Sequence, residues 1–158
     1  METLEIVKSD YELERGKPMP TLNHAFLQQG ILLRIAFNYQ GKFFALPELN
    51  LLIGGEKLVP DLALYAGTPR FLEHDEQFAT QLPLTAVEII SPSQSIVELT
   101  AKAERYLQAG IKSCWIVLPE FKSIVLSTQV GDYQSFDRHK TLVDPATGIE
   151  LELAPLFS

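Results

Sequence analysis

Residues 85 to 90 read Thr-Ala-Val-Glu-Ile-Ile, a short β-rich run that is apolar on both sides of a single glutamate. A strand of that pattern is covered on both faces and belongs inside a sheet rather than at its edge. After Ser91-Pro92-Ser93, helical spacing runs from about Ser95 to Ala109 and stops at Gly110, and Cys114-Trp-Ile-Val-Leu follows almost at once. A strand, a helix and a strand in that order make a crossover long enough to join parallel neighbours. The chain is thereby directed toward a mixed α/β layer structure in which one helix bridges the Glu88 strand and the Trp115 strand.

The other segments fit around this unit. Tyr11-Glu12-Leu13-Glu14-Arg15-Gly16-Lys17-Pro18 alternates briefly before Gly and Pro, as a strand entering a turn does. Asn23 can cap a helix from His24 to about Tyr39, with Phe26, Leu27, Leu33 and Phe37 on its apolar face and Gly41 ending it. FFALPELNLLI and KLVPDLALY read as two strands around a hairpin turn at Gly54-Gly55. CWIVLPE and SIVLSTQ are strands around a turn near Glu120, and the polar tail from Gly131 offers short edge strands. With 158 residues, no repeat and no linker, residues 1–158 are expected to form one domain around one core.

Several functions are made less favourable. No GxGxxG or GxxxxGK[ST] loop is present, so a nucleotide cofactor is not indicated. No apolar run reaches the roughly 18 residues that span a bilayer, and the opening residues mix charged with apolar side chains. No membrane role and a cytoplasmic location are therefore expected. Cys114 lies within an apolar run and reads as a small core residue. The 13 basic and 20 acidic residues give a net charge of -7, which disfavours nonspecific attraction to a polyanion.

Glu88 is the residue that needs an explanation. A buried carboxylate is costly unless it is paired, hydrogen-bonded or bound to a cation. Asp61, after Pro60 in VPDLALY, stands near the start of a strand that can lie beside the Glu88 strand. Together they supply the one or two carboxylates that magnesium commonly takes from a protein. Glu98, Lys102 and Tyr106 are spaced by four and share a helix face, so Lys102 can project toward the carboxylates. Spacing alone equally allows an exposed Glu98–Lys102 ion pair, and a turn role for Asp61.

The segments YELERGKPMPTLNHA, VPDLALY, AVEIISPS and ELTAKAERYLQAGI followed by CWIVLPE resemble the Uma family of restriction endonucleases, a branch of the PD-(D/E)XK superfamily, over nearly the whole chain. The resemblance implies a restriction-endonuclease-like mixed β-sheet flanked by helices, with magnesium, or manganese, at its centre. It implies catalytic roles for Asp61, Glu88 and Lys102, and metal ligation by Asp61, Glu88 and the backbone carbonyl of Ile89. Ile90 occupies the usual lysine position of the superfamily, so the lysine is expected from the following helix. Glu12 and Glu98 match auxiliary acidic positions, although Glu98 stands where aspartate is usual and Arg15 where an acidic residue is frequent. His24 also matches a family position, with capping or packing as much as catalysis open to it. Trp115 and Tyr106 read as core aromatics. The expected activity is DNA phosphodiester hydrolysis by a homodimer or higher homo-oligomer, and the alternative is an inactive nuclease-fold module that binds DNA or a protein partner.

Overall fold

The structure, a computed structural model, describes residues 10–158. The reading of the first nine residues as something other than a secretion signal lies outside that range. Asp10–Arg15 is a short helix, α1, and not the expected strand. Three alternating residues fit a helical turn as well as a strand, and Asp10, Glu12 and Arg15 sit at the ends where the helix dipole favours their charges.

The second helix, α2 (Leu22–Asn38), is capped by Thr21, whose side chain accepts the His24 N–H at 3.3 Å, rather than by Asn23. Its buried stripe is His24, Leu27, Ile31 and Ile35, whereas Phe26, Leu33 and Phe37 are exposed. The helix is apolar on most sides, so periodicity located it without fixing its phase.

The two expected strands are four. β1 (Phe43–Pro47), β2 (Leu51–Ile53), β3 (Glu56–Leu58) and β4 (Leu62–Ala66) follow in order. β2 and β3 form the expected hairpin, its turn residues Gly54 and Gly55 at φ 56° and 80°. Glu48, at φ 53°, interrupts the first run, and Pro60 lies in the break before β4.

β5 (Thr85–Ile89) is buried throughout, as its composition requires. α3 (Ile96–Ala109) starts at Ser95, whose hydroxyl accepts the Glu98 N–H at 3.1 Å, and closes on Gly110 in the left-handed region. β6 (Ser113–Leu118), β7 (Ser123–Gln129), β8 (Asp132–Asp137), β9 (Thr141–Val143) and β10 (Glu150–Glu152) complete the described strands, with a single 3-10 turn, Pro119–Phe121, between β6 and β7. The main sheet has the order β1-β4-β5-β6-β7-β8. Within it only the β5–β6 pair is parallel, with Val87 opposite Trp115, and α3 makes the crossover. Among the described residues no helix is long and apolar enough to cross a membrane.

Strand alternation divides the core. Val87, Ile89, Trp115 and Val117 pack with Leu27, Ile31 and Ile35 of α2, and with Leu142, Ile149, Leu151, Leu153 and Leu156 of the C-terminal segment. Ala86, Cys114 and Ile116 face Leu99, Ala103 and Tyr106 of α3. Glu88, two positions from Ala86, shares this second face.

A buried polar knot fixes the C-terminal segment to the sheet. Ser113 Oγ and Trp115 Nε1 donate to Asp144 Oδ2 at 2.6 and 2.8 Å, and the Ala146 N–H donates to Oδ1 at 2.9 Å. Asp144→Ala strips buried donors of their acceptor, so it is expected to cost about 3 kcal/mol. Urea denaturation of the two proteins measures it, and a loss under about 1 kcal/mol would show that the knot contributes little.

Candidate active site

The site forms where the beginning of β4 meets the end of β5. Leu62 lies opposite Val87 in this antiparallel pair, so the register continued by one residue brings Asp61 level with Glu88. Both side chains are 1% exposed. The Ile89 N–H donates to Asp61 Oδ2 at 2.6 Å and ties the two strand ends together.

Asp61 is held from three further directions. His24, on the buried stripe of α2, places Nε2 3.1 Å from Oδ2, while its Nδ1 is buried with no partner among the described residues. Lys17, just after α1, donates its ammonium to Oδ1 and also lies 3.2 Å from both Glu48 Oε2 and the Val59 carbonyl. Gln28 donates to the Asp61 carbonyl at 2.7 Å and to Glu48 Oε1 at 3.2 Å. The left-handed backbone at Glu48 is costly for a residue with a Cβ, and here it belongs to a residue whose carboxylate also engages Arg15 at 3.2 Å.

Glu88 is held from α3. The Tyr106 hydroxyl donates to Oε1 at 2.6 Å, and Lys102 Nζ lies 3.9 Å from the same oxygen. Glu98, Lys102 and Tyr106 do lie along one line of the helix, exposed, half-buried and buried in turn.

The two carboxylates titrate in opposite directions. Burial alone would raise Asp61, but the His24 hydrogen bond and the Lys17 charge outweigh it and hold the carboxyl below its usual range. Burial, then repulsion from Asp61, pushes Glu88 up to about 7, against the opposing pull of Lys102, Lys17 and Tyr106. Burial works against the Lys17 ammonium as well, yet Asp61, Glu88 and Glu48 raise it above the ordinary lysine value. Burial and the Glu88 charge push the Tyr106 phenol well up, so it stays a donor. Cys114 is buried with its thiol also pushed up by burial, which suits a core residue and not a nucleophile.

Of the residues singled out in the sequence, Asp61, Glu88 and Lys102 are brought together, and Ile89 joins them through its amide. Glu12 is half-buried on α1, the helix that leads into Lys17. Glu98 is exposed in the first turn of α3, where its amide completes the Ser95 cap. Trp115 is a core residue, as expected; Tyr106 is one as well, but its hydroxyl belongs to the site. Lys17, Gln28 and Glu48 were not anticipated. The line of Glu98, Lys102 and Tyr106 carried a signal for Tyr106, whereas a lysine between Gly16 and Pro18 reads only as a turn residue.

The donor set suits a hard divalent cation. Burial first, and then the neighbouring Asp61 carboxylate, raises Glu88, and a cation between the two carboxylates would offset both effects. Among the described residues no group of three or more His, Cys, Asp or Glu side chains is arranged to hold a metal ion, so protein ligation would rest on the carboxylate pair and backbone oxygen.

Residues 4–155 match the family model Uma2, described as "Putative restriction endonuclease". No curated protein matches the chain significantly. Among solved structures, a protein of Anabaena variabilis described as a "putative nuclease belonging to DUF820" aligns with a TM-score of 0.77. It is 23% identical, over 89% of this chain and 83% of that one, and the likeness bears on the fold: a mixed sheet flanked by helices.

Proposed function

The chain belongs to the Uma2 family, and from that premise we propose that it is a divalent-metal-dependent endonuclease that hydrolyses DNA phosphodiester bonds. The observation that carries the reading is the juxtaposition of buried Asp61 and Glu88 at the joined ends of β4 and β5, with the Lys102 ammonium beside Glu88. The family description supports the substrate class. Magnesium or manganese, when bound, would supply a Lewis acid for the phosphoryl oxygen and a water of lowered pKa.

In this reading Asp61 and Glu88 hold the cation. An extended residue directs its N–H and C=O to the same edge, so the Ile89 carbonyl is turned toward the Asp61 side, where its amide already bonds. Lys102 stabilises negative charge gathering on the phosphoryl oxygens and orients the attacking water. Tyr106 fixes one rotamer of Glu88 through its 2.6 Å hydrogen bond. His24 and the Ile89 amide orient the Asp61 carboxylate. Glu12, on the helix that leads into Lys17, and Glu98, beside the Ser95 cap, keep auxiliary parts. Cutting both strands of a duplex needs two such sites, and the mostly exposed edge strand β8 is the surface we propose for self-association.

The net charge of -7, which works against attraction to DNA, favours a second reading, a nuclease-fold module that does not cut and contacts a protein partner or DNA through a local patch. Incubation of supercoiled plasmid and single-stranded DNA with magnesium or manganese separates the two. The nuclease reading expects metal-dependent cleavage, suppressed by chelation and lowered about 10²-fold or more in Lys102→Met. Absence of cleavage by the folded chain under every metal condition supports the module, and cleavage unchanged in Lys102→Met removes that lysine from the chemistry.

A further inference from the structure

The cluster around Asp61 carries its own counter-charges. The carboxylates of Asp61, Glu88 and Glu48 are engaged by Arg15, Lys17 and Lys102, in addition to His24. With these carboxylates ionised, the guanidinium and the two ammonium groups balance them. A divalent ion bound in such a cluster is repelled most by the cation nearest to it, and the repulsion falls as that cation draws away.

Lys17 is the one that stands nearest to where the ion would sit. A carboxylate oxygen offers two lone pairs, and those of Asp61 Oδ2 are taken by the Ile89 N–H and His24 Nε2. A cation that reaches Asp61 is left with Oδ1, whose second lone pair lies beside the Lys17 ammonium, so two positive charges would meet on one oxygen. Arg15 is anchored elsewhere, on the Glu48 carbonyl at 2.8 Å and its carboxylate, and Lys102 approaches Glu88 from α3. Lys17 also has somewhere to go. Glu48 Oε2 and the Val59 carbonyl, each 3.2 Å from Nζ, can keep the buried ammonium bonded after it leaves Asp61. The left-handed backbone at Glu48 is the sort of local cost that a structure sustains where a side chain has to be placed for a task.

We propose that Lys17 is a tethered cation that holds the metal seat at Asp61 and moves onto Glu48 and the Val59 carbonyl when a divalent ion binds, so that the chain itself sets how much metal the site requires. This rests on the metal-dependent reading given above. Lys17 is in this sense a positioning residue for the metal and not a catalytic one.

Isothermal titration of manganese chloride into the full chain, comparing wild type with Lys17→Met and Lys17→Gln, tests it. Both substitutions remove the competing charge, and the manganese dissociation constant is expected to fall about tenfold or more. Equal or weaker manganese binding in both variants overturns the inference, because a structural lysine would leave affinity unchanged or lower it. Should either variant be unfolded without metal, its thermal unfolding at saturating manganese is the reading. Recovery of a cooperative transition supports the exchange of ammonium for metal, and a chain that stays unfolded overturns it. The two proposals fail separately: metal-dependent cleavage by wild type with no tighter binding in the Lys17 variants removes only the role of Lys17. Tighter binding in those variants, without cleavage by any protein, removes only the nuclease reading.

Discussion

In an Asp61→Asn protein, magnesium-dependent DNA cleavage is expected to fall by about 10³-fold or more while the chain remains folded. The amide side chain would keep the volume and one carbonyl oxygen for the Ile89 N–H, so the junction of β4 and β5 survives. It lacks the charge that would hold a divalent ion and that draws in Lys17. Asparagine is preferred to alanine here because it fills the same space at the strand junction, while the buried Lys17 ammonium keeps Glu48 as its charged partner. Initial rates of plasmid nicking, measured beside circular dichroism of the same preparations, give the result. A folded variant that cuts within about tenfold of wild type would remove Asp61 from the chemistry.

A Glu88→Gln protein is expected to gain stability relative to wild type as the pH rises in metal-free buffer. The folded Glu88 carboxyl titrates at about 7, above its ordinary 4.5, so the native state binds a proton that the unfolded chain has released. Its stabilising contribution is complete below about pH 4.5 and is lost as the pH rises through 7, a change of about 3 kcal/mol. Asp61 does not confuse the comparison. Its carboxyl is depressed below 3.8, so its contribution is present above that value and is lost only as the pH falls further. Urea denaturation of both proteins from about pH 4.5 to pH 8, with chelator, should show their difference moving toward the variant across this window. A difference independent of pH would mean that Glu88 is ionised throughout and that its neighbours offset its burial. The same substitution removes a proposed metal ligand, so stability and cleavage should move in opposite directions.

The sheet's centre was readable because a strand covered on both faces and a crossover helix leave strong marks in sequence. Thr85–Ile89 is apolar apart from Glu88, and Ser95 and Gly110 bracket α3 with residues suited to its two ends. α1 was misread since Tyr11, Glu12 and Leu13 satisfy two periodicities at once, and six residues are too few to separate them. The phase of α2 was missed because Phe26, Leu33 and Phe37 are as apolar as the residues it buries. Family resemblance and geometry agree in grouping Asp61, Glu88 and Lys102. Lys17 left no local mark, being 44 residues from its partner Asp61 and placed there only by tertiary structure. Glu48 was equally silent, for its part depends on a backbone conformation that its residue type disfavours.

The attachment of the C-terminal segment to the α2 face also governs when the site can exist during synthesis. Leu151, Leu153 and Leu156 close a core that contains Val87 and Ile89, immediate chain neighbours of Glu88, while Asp144 clasps Ser113 and Trp115 on the adjoining strand. A nascent chain that has so far exposed only α1 to β7 holds every residue of the carboxylate cluster but lacks the layer that packs β5 from behind. Long-range pairings of this kind form late in folding. The carboxylate cluster thereby lacks its rear packing until the segment around residues 149–156 has left the ribosome, and a polypeptide interrupted before that point carries these residues without the scaffold that holds them.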